Sequence, residues 1–139
     1  MNTRSSVDPF LTFAQNRRLR QQVWTAFKNR GDNGDANDTN QVIVDILRLR
    51  AERAEILGFQ NHAYLRMADT MAQTPDRAHD LMMRVWPTAV ARVNEEVRDM
   101  QAIADRQGGR ITIEPWDYNY YAEQVRRARY NLDQNELRP

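Results

Sequence analysis

Cysteine is absent from all 139 residues, which rules out disulfides and thiolate metal sites and leaves the redox compartment open. Lysine is almost absent as well. Lys28 is the sole lysine, so nearly every cation is an arginine, a pattern that reads as codon usage in a GC-rich genome before it reads as phosphate recognition. Serine occurs only at Ser5 and Ser6, neither in the Gly-flanked elbow that a serine nucleophile needs. Histidine occurs only at His62 and His79, whereas a zinc-binding helix requires two His four apart with a Glu between them. An excess of one charge sign is also missing. With 20 basic residues against 19 acidic ones, the net charge of +1 argues against a nucleic-acid partner. No apolar run approaches the roughly 20 residues that cross a bilayer, and the N-terminal stretch lacks a signal-peptide core. We therefore expect a soluble chain without a membrane partner, in the cytoplasm, with the periplasm as the other compartment open to it.

What is present is helical. Charged residues make up 28% and apolar ones 41%, suited to one domain that buries about two thirds of its unfolded surface. The spacing predicts a helix from about Phe13 to Asn29 with Leu19, Val23, Trp24 and Phe27 on one stripe, preceded by an irregular leader. Arg30-Gly31-Asp32-Asn33-Gly34-Asp35 then reads as a helix stop and polar loop. A second helix is predicted from an Asp38 or Thr39 cap to Leu57, carrying Val42, Ile43, Ile46, Leu47 and Ala54, with Gly58 closing it. Asn61 caps a short third helix. Thr74-Pro75-Asp76 opens a long fourth one to Arg106, which Pro87 should kink or split near Val85. Gly108-Gly109 end it. Arg110 to Pro115 alternates like a strand through Ile111 and Ile113 but is too short for a sheet, and Asp117 caps a last helix to about Tyr130. The fold class is all-α, with about five helices including one long Pro-kinked helix.

Several motifs have plainer readings that outweigh the sharper ones. Arg30-Gly31-Asp32 matches an integrin-binding tripeptide but reads as a Gly-terminated helix entering a turn. The acidic loop from Asp32 to Asn40 lacks the Gly and the final acid that a calcium loop needs. His79-Asp80 has the form of a metal-binding pair without further ligands. Glu95, Glu96 and Asp99, interleaved with Arg92 and Arg98, fit salt-bridge ladders on a wet face. Arg126, Arg127 and Arg129 sit where a helix C-terminus favours cations. The tract from Trp116 to Tyr121 holds four aromatics in six residues and is harder to set aside. It serves either core packing or a substrate groove.

Taken together, these segments resemble part of the bacterial dipeptidyl carboxypeptidases, within the thimet oligopeptidase-like zinc metallopeptidases. The resemblance runs through Asp8-Pro9-Phe10-Leu11-Thr12-Phe13, then Arg30-Gly31-Asp32-Asn33-Gly34-Asp35 with Asn37-Asp38. It continues through Leu49-Arg50-Ala51-Glu52-Arg53-Ala54, Leu57-Gly58-Phe59 and Met71-Ala72-Gln73-Thr74-Pro75. It closes with Pro115-Trp116-Asp117, Tyr120-Tyr121 and Leu132-Asp133.

The resemblance implies a two-lobed helical enzyme with a deep channel, whose zinc is held by H-E-x-x-H and a downstream Glu. In that family the Glu of the motif activates a water that releases dipeptides from the C-termini of oligopeptides. This chain contains no H-E-x-x-H, so no catalytic or metal-binding role transfers to any of its residues, and no zinc is expected on it. The expectation is a single helical segment, residues 1–139, from the region preceding the zinc helix. It would be inactive alone and would supply scaffold and channel wall, with Trp116, Tyr120 and Tyr121 as possible channel lining. Its expected partners are peptide substrates in the parent and the remainder of the peptidase chain. The start signal at Asp133, close to the end at Pro139, favours truncation, and apolar faces left without partners should drive self-association. The other reading is a stand-alone helical interaction module derived from such a peptidase.

Overall fold

The computed structural model describes residues 3–108 and 110–130. Among them lie six helices and no strand: α1 (Arg4–Phe13), α2 (Arg17–Lys28), α3 (Asn40–Ile56), α4 (His62–Met67), α5 (Pro75–Arg106) and α6 (Tyr118–Tyr130). The all-α expectation holds. Gly109 and the Asp133 start signal lie outside the described residues. The chain forms two compact units, one of residues 1–29 and 91–139, the other of residues 30–90.

In the first unit, α1 occupies a stretch expected to be irregular. Pro9 inside it reads as a breaker, yet Val7 and Leu11 are buried one turn apart, and α1 packs against both α2 and α6. Burial of that apolar pair outweighs the lost proline hydrogen bond. The helix expected from Phe13 instead begins at Arg17. Asn16 caps it by accepting from the Leu19 N–H at 3.1 Å. Its expected apolar stripe is only partly inward: Leu19 is exposed, and the one fully buried side chain of α2 is Arg20. The core of this unit joins Met100, Ile103 and Ala104 of α5 to Tyr121 of α6. Ile111 and Ile113 pack against it as their alternation suggests. In place of a neighbouring strand, the Gln101 side-chain amide donates to the Ile111 carbonyl at 2.7 Å and accepts from the Ile113 N–H at 3.0 Å.

In the second unit, α3 ends in a Schellman motif. The Phe59 N–H reaches the Ala54 carbonyl and the Gly58 N–H reaches that of Glu55, both at 2.9 Å, with Gly58 at φ +75°. Asn61 then caps α4, accepting from the Ala63 and Tyr64 N–H groups. At the other end of α3, Thr39 sits at the cap position but turns its hydroxyl away, donating to the Gly31 carbonyl at 3.1 Å, while its N–H reaches the same oxygen at 2.8 Å. Gly31 can approach this closely because it has no Cβ and holds φ at +77°. Val42, Ile43, Ile46 and Leu47 of α3 are all exposed, and Ala54 is the only buried residue of that helix. Leu81, Met82, Val85 and Trp86 of α5 are exposed likewise. Pro87 does not split α5, which runs as one helix from Pro75 to Arg106; the residues around it are all exposed, so the missing N–H costs less than it would in a buried helix.

The Gly31 contact has a measurable consequence. A Cβ there would stand 2.6 Å from Thr39 Oγ1, whereas one at Gly58, with a similar φ, meets nothing within 4 Å. Gly31→Ala is expected to cost about 2–3 kcal/mol in urea unfolding and Gly58→Ala about 1 kcal/mol, since only the first adds a clash to the backbone strain. Equal costs would contradict the Thr39 clamp.

Candidate functional site

Asp117 is fully buried directly before α6, and its carboxylate accepts from two arginine side chains and a backbone N–H. Arg17 reaches Oδ2 through Nε at 3.0 Å and Nη2 at 2.9 Å, and Oδ1 through Nε at 3.2 Å. Arg20 donates from Nη2 to Oδ1 at 2.7 Å, and the Glu114 N–H donates to Oδ2 at 3.2 Å. Sequence reasoning makes Asp117 a helix cap. It does stand at the start of α6, and its carbonyl receives the Tyr121 N–H, but its side chain binds the arginines and the turn before the helix. Arg20 is also buried. Its Nη1 donates to the Ala14 and Gln15 carbonyls at 2.8 and 3.1 Å, tying the α1–α2 connection to the start of α6. Arg17 Nη2 also reaches the Thr112 carbonyl. The hydrogen bond to Asp117 raises the Arg17 pKa against the opposing effect of burial. No sequence signal links Arg17 and Arg20 to Asp117, because the pairing spans most of the chain.

The aromatic tract is arranged around this cluster. Trp116 is half-buried, meets Trp24 edge-on with ring centres 5.9 Å apart and lies under the Arg17 guanidinium, while its Nε1 has no protein partner among the described residues. Tyr120 is half-buried beneath the Arg20 guanidinium, 4.2 Å from its ring centre, and stands edge-on to Tyr121 at 5.1 Å. Tyr121 itself belongs to the core, and burial, then the Asp117 charge, raises its hydroxyl pKa. Tyr118 donates to Glu96 Oε2 at 2.7 Å, a bond that with burial raises its pKa too. Beside Tyr120 opens a cavity of about 500 Å³, lined by Thr12, Phe13, Gln15, Glu123, Gln124 and Arg127 among others. Tyr120 is the only one of the three aromatics proposed from sequence that lines it.

The remaining motifs make mostly local contacts. Arg127 and Arg126 both pair with the buried Glu123, and Arg129 pairs with Asp99 at 2.6 Å. Arg92 bridges Glu95 and Glu96, as the ladder spacing implies. Gly31 of the Arg-Gly-Asp tripeptide forms a closed turn onto Thr39. The His62 pKa is lowered by desolvation first and then by Arg50, Arg66 and Arg53; His79 is exposed beside Asp80. Among the described residues no group of three or more His, Cys, Asp or Glu could hold a metal ion.

The two arginines of the cluster differ in exposure, and this separates their roles. Asp117→Ala strands the buried Arg20 and is expected to cost about 3–5 kcal/mol in urea unfolding. Arg17→Ala, whose side chain is 40% exposed, is expected to cost about 1–2 kcal/mol, because water takes over part of its role. A loss under about 1 kcal/mol for Asp117→Ala would show that the cluster does not hold the unit together.

Comparison with known proteins bears on what this framework belongs to. The chain is 38% identical over 131 residues to the dipeptidyl carboxypeptidase of Escherichia coli, a match covering 94% of this chain and 19% of that protein. It is 34% identical over 137 residues to a probable cytosolic oligopeptidase A of Arabidopsis thaliana, covering 94% of this chain and 19% of the relative. It is 31% identical over 135 residues to the oligopeptidase A of Escherichia coli, covering 94% and 20%. The chain thus spans about a fifth of the length of the curated relatives it matches. Residues 10–139 match the family described as Peptidase family M3, and the chain belongs to that family.

Proposed function

We infer that these residues are a helical portion of a larger zinc-dependent peptidase that releases dipeptides from the C-termini of oligopeptides. In that reading the chain supplies scaffold and channel wall and cleaves nothing alone. The observation that carries it is the match to the dipeptidyl carboxypeptidase, which covers nearly all of this chain but a fifth of that protein. Peptidases of this family are zinc-dependent in general, but the residues described here do not fit a zinc site, so no step of hydrolysis is assigned to them. The parent's peptide substrates and the rest of its chain are the partners this reading requires. The cytoplasm is the proposed compartment, supported by the relative named as cytosolic.

Trp116 and Tyr120 are the proposed channel lining, with Tyr121 as the core residue that backs Tyr120 edge-on. Half-exposed aromatic faces pinned by guanidinium groups suit contact with a peptide backbone and its apolar side chains. The exposed apolar residues of α3 and α5 are proposed as faces that further polypeptide covers. In the chain by itself they favour association between copies, which is also what a stand-alone interaction module would show.

Three measurements test this reading. Oligopeptides incubated with the purified chain and added zinc are expected to release no dipeptide; chelator-sensitive release would overturn the assignment. Peptide in the same mixtures is expected to perturb tryptophan fluorescence in a way that Trp116→Phe removes, and an unaltered response in that variant would end the lining role. In sedimentation experiments the chain is expected to associate as concentration rises. A monomer throughout a wide range would count against exposed contact faces.

A further inference from the structure

The polar loop between α2 and α3 carries chemistry that the peptidase reading does not use. Asn33 is followed by Gly34 and is the only asparagine of the chain with glycine after it. Both residues are exposed. Gly34 holds φ at +68° and has no side chain to shield the peptide link after Asn33, with nothing within 4 Å of where a Cβ would stand. That nitrogen's proton is already engaged: the Gly34 N–H donates to Asp38 Oδ2 at 3.1 Å. The other oxygen of the same carboxylate accepts from the Asn40 N–H at 2.8 Å, which fixes the Asp38 side chain in place.

We propose that Asn33 is a site of self-modification, deamidating through a cyclic imide, with Asp38 as the base for the Gly34 amide. A general base must lie within hydrogen-bond reach of the proton it removes, and Asp38 does. The carboxylate takes the proton from the Gly34 nitrogen as that nitrogen attacks Cγ of Asn33. The new N–Cγ bond forms, the Cγ–Nδ2 bond breaks, and the proton passes from Asp38 to Nδ2, which leaves as ammonia. Solvent water then adds to either carbonyl of the five-membered imide and opens it, leaving aspartate or isoaspartate at position 33. Neither oxidant nor cofactor is required.

The product alters the entry to α3. It adds a negative charge to a loop that already holds Asp32, Asp35 and Asp38, and the isoaspartyl form adds one carbon to the backbone path. This loop is closed at its ends by the Gly31–Thr39 contact, so the added length and repulsion fall on the turn that positions the start of α3.

Ageing the full chain in neutral buffer, followed by peptide mapping and isoaspartate detection, tests the proposal. Asn33 is expected to convert at least about ten-fold faster than Asn37 of the same loop or Asn40 at the start of α3, and Asp38→Asn is expected to slow it about a hundred-fold, the low end for loss of a general base. The wild-type chain in denaturant separates the base from loop disruption: conversion of the folded chain should be faster than that of the unfolded one. Conversion at Asn33 no faster than at its neighbours would overturn the site. A rate unchanged by Asp38→Asn, or faster in denaturant, would overturn the role of Asp38.

Discussion

The buried carboxylate of Asp117 binds two arginines that precede it by 100 and 97 positions, and the first unit is organised around that meeting. Its neighbours in space are otherwise unrelated in sequence: the α1–α2 connection, the extended Thr112 segment and the start of α6. An apolar contact could bring the same pieces together with similar stability, since burying charges costs nearly as much as their attraction returns. Apolar contacts, however, do not fix direction. Arg20 bonds backbone carbonyls with one nitrogen and Asp117 with the other, which sets the rotation of α2 about its axis and the place of Tyr120 beneath it. The aromatic wall is a consequence of this ion cluster more than of aromatic packing.

The second unit is held differently. Its helices begin and end at strong local signals, the Asn61 cap and the Schellman turn at Gly58, while the apolar side chains of α3 remain largely exposed. Local signals define where helices start and stop, but the stability of helices this length comes mainly from tertiary packing of an apolar face. The chain spans about a fifth of the length of the relatives it matches, and the proposal that further polypeptide covers these faces rests on that span and on their exposure. The same exposure underlies the association proposed for the chain by itself.

Much of this was legible in the residues, and the failures have physical causes. Gly58, Asn61 and Thr74-Pro75-Asp76 each mark a boundary through chemistry confined to a few neighbours, and each stands where expected. The first helix falls in a stretch expected to be irregular, where distant packing overrides the local penalty of Pro9. Of the kink or split expected at Pro87, the split does not occur, in a stretch whose residues are all exposed. Burial of Arg20 has no local signature, because it depends on an anion far away in sequence. Ile111 and Ile113 alternate like a strand and pack like one, but the partner that replaces a strand is a single glutamine side chain.

The residues by themselves determined the helical class, most helix ends and the family resemblance, because caps, glycine stops and motif order act over short range. Tertiary structure alone decided that Asp117 serves as an anchor for two arginines, that Tyr120 lines a cavity while Tyr121 enters the core, and that the apolar residues of α3 and of the first half of α5 stay exposed. Each of those depends on which distant groups come within a few ångströms, and periodicity along a chain carries the direction of a side chain without naming what it meets.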